Sequence, residues 1–304
     1  MGLFSFNYNK PGPGIAKDAP VKKPFFRFWE VYFRKFFNLI KVNLLFAVPT
    51  AICLALCVLL ESFVSGINPN LSFLGLVPFV LLSPFVGGLT FVCRNYAREE
   101  HAFILSDFME ATKKNWKQFL LNGIVCYVFY VLMSVSINFY SAQVSANSIM
   151  YVPFIVCILL SFLFICAQFY IPVMIVTFDL KLRQIYRNAL IFSIIGLWRN
   201  LMLIAIIGVF AAAAVVFFLL MTPLAILVLF LLAVFWMFGF FGFLVNFAVY
   251  PMIVKYIINP YEREQEEKKK AALGQTAENG EDAVQTAAVE EPEEDEPDFQ
   301  DSLY

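Results

Sequence analysis

Apolar positions in this chain come in long unbroken blocks, separated by shorter stretches that hold the charge. Six blocks, approximately 42–62, 73–93, 119–140, 152–177, 200–221 and 223–254, are rich in Leu, Ile, Val and Phe. Each reaches the roughly 20 residues that an apolar helix needs to cross a bilayer. Ahead of three of them lies a basic, aromatic segment. In 25–41, FFRFWEVYFRKFFNLIK, the residues Arg27, Glu30, Arg34, Asn38 and Lys41 recur at steps of three and four, one face of a helix, with Phe, Trp, Tyr and Leu opposite. The pattern predicts an all-α membrane protein of six transmembrane helices with cytoplasmic interfacial amphipathic helices.

The Lys and Arg residues orient the predicted spans. Segments 1–41, 94–118, 178–199 and 255–270 carry eight, five, four and five of them, all 22 in the chain, while the three intervening loops carry none. Basic loops stay on the cytoplasmic side, so both termini are expected to be cytoplasmic. The other loops, near 63–72, 141–151 and 222, are too short for an outer domain. The organisation expected is an extended N-terminus over 1–24 with no cleavable signal, a membrane domain over 25–260, and a charged tail over 261–304. On its first helix, Arg27, Arg34, Lys35 and Lys41 are expected to anchor the chain to lipid headgroups.

Composition agrees with the pattern and sharpens the ends. Hydrophobic residues make up 61% and charged residues 15%, with a mean hydropathy of +0.74, too little polar residue to cover a soluble fold of this size. The formal net charge of −1 conceals 11 acidic residues and no basic one after position 270. That acidic tail is expected to be disordered from about 271, because it has few large apolar groups to offset its ordering entropy. It reads as a solvated terminus or as a docking arm for a basic partner. Nucleic acid is not an expected partner.

Candidate chemistry is sparse. Cys53, Cys57, Cys93, Cys126, Cys157 and Cys166 all lie in apolar runs without a CxxC pair, and His101 is the single histidine, so no metal site and no cofactor are expected. There is no Walker P-loop, HExxH or GxSxG, and no catalytic residue is assigned. Within the predicted spans the one ionisable residue is Glu61, at an outer end. Neutral polar residues in the spans, chiefly Ser134, Asn138, Gln168 and Asn246, read as interhelical hydrogen-bonding groups or as the lining of a neutral-solute path.

The cytoplasmic segment SDFMEATKKNWKQFLL predicts a helix capped by Ser106. Its acids, Asp107 and Glu110, precede Lys113, Lys114 and Lys117, the order that the helix dipole favours. It ends on Trp116, and a third approach segment ends likewise on Trp198 and Arg199. Asp107, Glu110, Lys113, Lys114, Trp116, Trp198 and Arg199 are the candidate partner contacts. Phe37-Asn38, Trp116-Lys117 and Trp198-Arg199 are spaced by 79 and 82 residues, and each is followed by a span, a short loop and a returning span with Pro84, Pro172 or Pro251. The spacing suggests a threefold repeat of interfacial helix plus hairpin.

The N-terminal NYNKPGPG, the run RKFFNLIKVNLL, and above all GGLTFVCRNYAREEHAFILSDFMEATKKNWKQ at 87–118 resemble the YesL-like family over roughly residues 5–260. The resemblance implies a bacterial membrane protein, typical of Firmicutes, without known catalytic activity, encoded beside carbohydrate-uptake ABC transporters. It transfers no active-site residues. Glu110-Ala111-Thr112 also begins like the coupling signature of ABC importer permeases, but Trp116 takes the place of its glycine. The expectation is a non-enzymatic accessory subunit of a sugar ABC transporter in the bacterial plasma membrane, in contact with lipids, permease and ATPase subunits. A neutral-solute channel or facilitator and a membrane scaffold or signalling protein are the alternatives.

Overall fold

A computed structural model describes residues 23–220 and 222–278. Among them the structure is helical throughout, with turns between helices and no strand. The order is α1 (Pro24–Ile67), a 3₁₀ segment (Pro69–Leu76), α2 (Phe79–Ala97), α3 (Ile104–Lys114), α4 (Trp116–Gln143), α5 (Tyr151–Thr177), α6 (Leu182–Ile195), α7 (Leu197–Leu219), α8 (Pro223–Leu232), α9 (Phe238–Ile253) and α10 (Asn259–Glu278). Single π-helical turns, Ala233–Met237 and Val254–Ile258, join α8 to α9 and α9 to α10. Six stretches of helix are long and apolar enough to cross a membrane, and each overlaps one predicted span.

Helix α2 is central, packing on α1, α3, α4, α5 and α9. The core is gathered at the end of the bundle that carries α3, α6 and the basic residues. There the last turns of α5, from Cys166 to Phe178, are largely buried against α6 and α2. Toward the opposite end, α4, α5, α7 and α8 leave most of their Leu, Val, Ile and Phe side chains exposed. In a bilayer that exposure is not penalised, since lipid tails are as apolar as the side chains facing them. Two glycines let a helix approach the backbone of another closely. A Cβ on Gly88 of α2 would stand 2.6 Å from the Phe108 carbonyl of α3, and one on Gly239 of α9 would stand 2.7 Å from the Leu39 carbonyl of α1.

Several expectations need correction. The amphipathic segment 25–41 is not a separate interfacial helix: no glycine or proline interrupts the backbone between it and the first span, and α1 runs on for 44 residues, about 66 Å. Part of its aromatic face meets protein, while Phe25, Phe26, Phe33 and Phe37 stay exposed. Phe28 packs its ring 5.3 Å from those of Phe243 and Phe247, and the Tyr32 hydroxyl accepts from Trp236 Nε1 at 2.7 Å. The second and third approach helices do stop before their spans, at Asn115 and Gly196. Helix α3 begins at Ile104 rather than after Ser106, with the Asp107 carboxylate accepting from the Phe103 amide at 2.8 Å. The last span runs as one helical stretch, with its α-helical ladder interrupted by the π turn Ala233–Met237. Helix α10 continues to Glu278, inside the segment expected to be disordered; the rest of that tail and the N-terminal 1–22 lie outside the described residues.

The π turn in the last span is satisfied by α1. A π turn shifts the backbone ladder by one residue and leaves groups without their usual partners. Asn43, fully buried, donates Nδ2 to the carbonyls of Ala233 (2.9 Å) and Val234 (2.6 Å) and accepts the Gly239 amide on Oδ1 at 2.7 Å. One side chain therefore stitches α1 across the α8–α9 junction.

Candidate functional site

Between α2, α4 and α5 lies a partly open cleft of about 440 Å³. Its walls are apolar and aromatic, with Phe79, Val80 and Val86 on α2, Phe119 and Tyr130 on α4, and Pro172 on α5. Three polar residues, Ser83, Asn122 and Gln168, also face it, and no lining residue is charged. At one end the Tyr127 hydroxyl donates to the Phe73 carbonyl of the 3₁₀ segment at 3.2 Å.

The polar wall is a small network spanning three helices. Asn122 Nδ2 of α4 donates to Gln168 Oε1 of α5 at 3.2 Å, and the Tyr186 hydroxyl of α6 donates to Asn122 Oδ1. Burial, reinforced by the nearby Cys126 thiol, pushes the Tyr186 phenol up to about 12, so it is a neutral donor at physiological pH. Gln168 Nε2, beside that hydroxyl, is buried and has no acceptor in hydrogen-bonding geometry among the described residues. Such an amide in an apolar setting is costly unless something supplies an acceptor. The arrangement can hold an uncharged group, and contains no positioned acid, base or activated nucleophile.

The four intramembrane residues singled out in the sequence are not gathered into one path. Gln168 lines the cleft. Asn138 is exposed and donates to the Ser134 carbonyl one turn back in its own helix. Asn246 is buried in α9 and donates to the Gly242 carbonyl at 2.7 Å, its Oδ1 finding no donor among the described residues. Gln168 bonds across to another helix, whereas Asn138 and Asn246 donate within their own helices, which is neither of the two expected roles.

Sequence reasoning missed the polar residues that join helices. Asn122 lies just inside the start of α4, and Tyr186 belongs to a helix outside the spans. Tyr170 of α5 donates to Asn200 Oδ1 of α7, and Asn200 Nδ2 donates to the Ser193 carbonyl of α6, each at 3.0 Å. Arg94, counted from the sequence among loop charges, is only 1% exposed because α2 runs on past it to Ala97. Its Nη1 donates to the Val176 carbonyl at 2.6 Å and to Thr177 Oγ1 at 3.2 Å, while Nε and Nη2 reach Asn95 Oδ1. It thereby caps the C-terminus of α5, where carbonyls lack partners and the helix dipole is negative.

The candidate partner contacts stand at the same end of the bundle. α3 buries Phe108, Ala111 and Thr112 and turns Leu105, Met109, Glu110, Lys113 and Lys114 outward, next to exposed Trp116. Trp198 is 76% exposed at the start of α7, and Arg199 Nη1 donates to the Ala248 carbonyl of α9 at 3.4 Å.

Of the four residues expected to anchor lipid, Lys41 is exposed, while Lys35 lies over the Tyr96 ring at 5.2 Å. Arg27 and Arg34 are instead engaged by protein: Arg27 Nε donates to Glu99 Oε1 at 2.9 Å, and Arg34 Nη2 to Glu99 Oε2. Partial burial acts to raise the Glu99 carboxyl pKa, but the hydrogen bonds and charges of Arg34 and Arg27 prevail and hold it below its usual value. Glu99 also adopts a left-handed backbone, φ 65°, in the turn after α2.

No curated protein and no solved structure matches this chain. Residues 39–137, from the middle of α1 through most of α4, match the model of the family described as "Protein of unknown function, DUF624", the family that includes the YesL-like proteins.

Proposed function

We propose that this protein is a non-enzymatic accessory subunit of a carbohydrate ABC transporter in a bacterial plasma membrane, with both termini cytoplasmic and its basic end presented to permease and ATPase subunits. The carrying observation is α3, a helix between two candidate spans. One face is locked to α2, and the other offers Leu105 and Met109 among Glu110, Lys113 and Lys114, with Trp116 following. A mixed apolar and charged face ending on an exposed tryptophan has the makeup of an interface anchor. The exposed Leu, Val and Phe of α7 and α8 supply a second surface, for lipid or permease helices. In this reading α1–α2, α3–α5 and α6–α9 are three versions of an approach helix plus hairpin, and the first has lost the break between the two.

Affinity purification of the tagged protein from its native membrane in mild detergent tests the reading. Co-purification of permeases and an ATPase in fixed proportion, lost in a Glu110→Ala, Met109→Ala, Trp116→Ala variant that still assembles, is the expected result. Recovery of the protein alone sinks it. The cleft favours a second reading, a facilitator for a neutral solute. That reading expects flux of the solute into liposomes holding this protein alone, and loss of flux in Gln168→Leu.

A further inference from the structure

We infer that the outward face of α6 is a binding site for an anionic phospholipid headgroup, with Arg183 and Arg187 taking its phosphate and Lys181 beside them. The inference rests on the membrane-crossing helices and is independent of the accessory-subunit reading. Helix α6 packs along α5 and buries Ile185, Ala189, Phe192 and Ser193. Its opposite side carries Arg183, Arg187, Leu190 and Ile194 at steps of four, three and four, which makes one exposed stripe. The stripe changes character along its length. It is basic in the first half of the helix and apolar in the second.

That change falls where the apolar surface of the bundle ends. The exposed apolar side chains of α5 run from Tyr151 to Ile165, and beyond them the helix is covered, chiefly by α6 and α2. Helix α6 meets α5 just past that point: the Tyr186 hydroxyl reaches Gln168 through Asn122, and the Phe192 ring stacks on Tyr170 at 5.5 Å. In the other direction Leu190, Ile191 and Ile194 are followed by exposed Leu197, Leu201 and Met202 of α7. The border between surface suited to lipid tails and surface that carries charge therefore runs across α6. Headgroups of a bilayer lie at such a border.

Charge selects the headgroup. Between Glu110 and Glu262 the chain has eight basic residues and a single acid, Asp179. Lys181, Arg183 and Arg187 are exposed and make no ion pair among the described residues, whereas Arg27 and Arg34, the cations expected to meet lipid, are held by Glu99. Arg183 and Arg187 stand one turn apart, about 6 Å along the axis. Like charges at that spacing repel. A phosphate between the two guanidinium forks removes the repulsion and accepts charge-assisted hydrogen bonds from both. A choline headgroup brings its own cation to the same place and gains less, so a lipid of net negative charge is preferred. A bilayer surface offers anionic headgroups beside hydrocarbon, in the order in which the stripe presents its basic and apolar halves.

The test uses the full chain in phosphatidylcholine nanodiscs with a trace of photoactivatable lipid, either phosphatidylglycerol or phosphatidylcholine bearing the same diazirine, followed by mapping of the crosslinked peptides. Labelling of 209–219 on α7, apolar and largely exposed, reports ordinary lipid contact. Two basic residues at a membrane surface are worth up to about thirtyfold in affinity for anionic lipid. The ratio of phosphatidylglycerol to phosphatidylcholine labelling on 182–195 should therefore exceed that on 209–219 by about three- to thirtyfold. The double variant Arg183→Gln, Arg187→Gln should bring it down to the α7 value, and Arg183→Lys, Arg187→Lys, which keeps the charge without the forks, should fall between. Unchanged labelling of α7 shows that both variants assemble. Equal ratios on the two segments of the parent overturn the inference, as does a ratio indifferent to the glutamine substitutions. Absence of label on 182–195 also overturns it and gives the face to a protein partner. Loss of the preference in inorganic phosphate, but not in chloride of equal ionic strength, overturns it in favour of a free anion.

Discussion

Asn43 offers the sharpest test of how the bundle is held together, because one side chain serves three backbone groups at the π turn of the last span. Asn43→Leu keeps the volume and removes the two bonds to Ala233 and Val234 and the one from Gly239. Interhelical polar contacts in membrane proteins are worth on average about 0.6 kcal/mol each, with a maximum near 1.7. Three of them predict a loss of about 2 kcal/mol, rising toward about 4 if the Gly239 amide is left without any acceptor. Asn43→Asp should be worse at pH 8, since a carboxylate would face two carbonyl oxygens. Unfolding in mixed detergent–SDS micelles can be followed by tryptophan fluorescence, because Trp236 stacks on Phe240 at 4.4 Å and bonds Tyr32 at that turn. If Asn43→Leu lies within about 0.5 kcal/mol of the parent, or Asn43→Asp at pH 8 matches it, the stitch contributes nothing and the reasoning fails.

Three further outcomes are expected from the same unfolding assay. Gly239→Ala should cost about 1–3 kcal/mol by forcing α1 from α9, whereas Gly208→Ala, with nothing within 4 Å, should be neutral or stabilising by up to about 1 kcal/mol; equal effects would refute the packing argument. Glu99→Gln should cost no more than about 1 kcal/mol at pH 7, since the pair is partly exposed. With its pKa lowered in the fold, Glu99 contributes above its unfolded value near 4.3, so the difference between parent and variant should vanish as pH falls through about 4; a difference that grows with acid contradicts the pairing. Arg94→Lys, which keeps the charge but loses the planar fork, should destabilise by about 1–2 kcal/mol through the uncapped end of α5, and a neutral result would assign the capping elsewhere.

The site was only partly legible before folding. Gln168 stood out because an amide in the run FICAQFYIPVMIV has no solvent to satisfy it, and the structure places it on the cleft. Its partners did not stand out. Asn122 reads as an ordinary residue five positions after Lys117, and Tyr186 sits in a polar helix 64 residues away, so nothing local ties the two together. Arg94 was misread for a related reason: adjacency to the end of an apolar run signals a loop charge unless the helix continues and another helix ends against it, as α5 does.

By itself the sequence determined that this chain forms six apolar helices with charge confined to alternate connecting segments, because hydropathy and length are sums over neighbours along the chain. In the structure the stops before α4 and α7 fall at Asn115 and Gly196. Only the tertiary structure decided that α1 has no such stop, that Phe28 and Tyr32 of its aromatic face meet α9, that Arg27 and Arg34 turn to Glu99, and that α2, α4 and α5 part around Gln168. The reason is physical. In water, polarity separates the face of a helix that meets protein from the face that meets solvent. In hydrocarbon both surroundings are apolar, and the choice passes to shape, small residues and a few buried hydrogen bonds whose partners lie far apart in the chain.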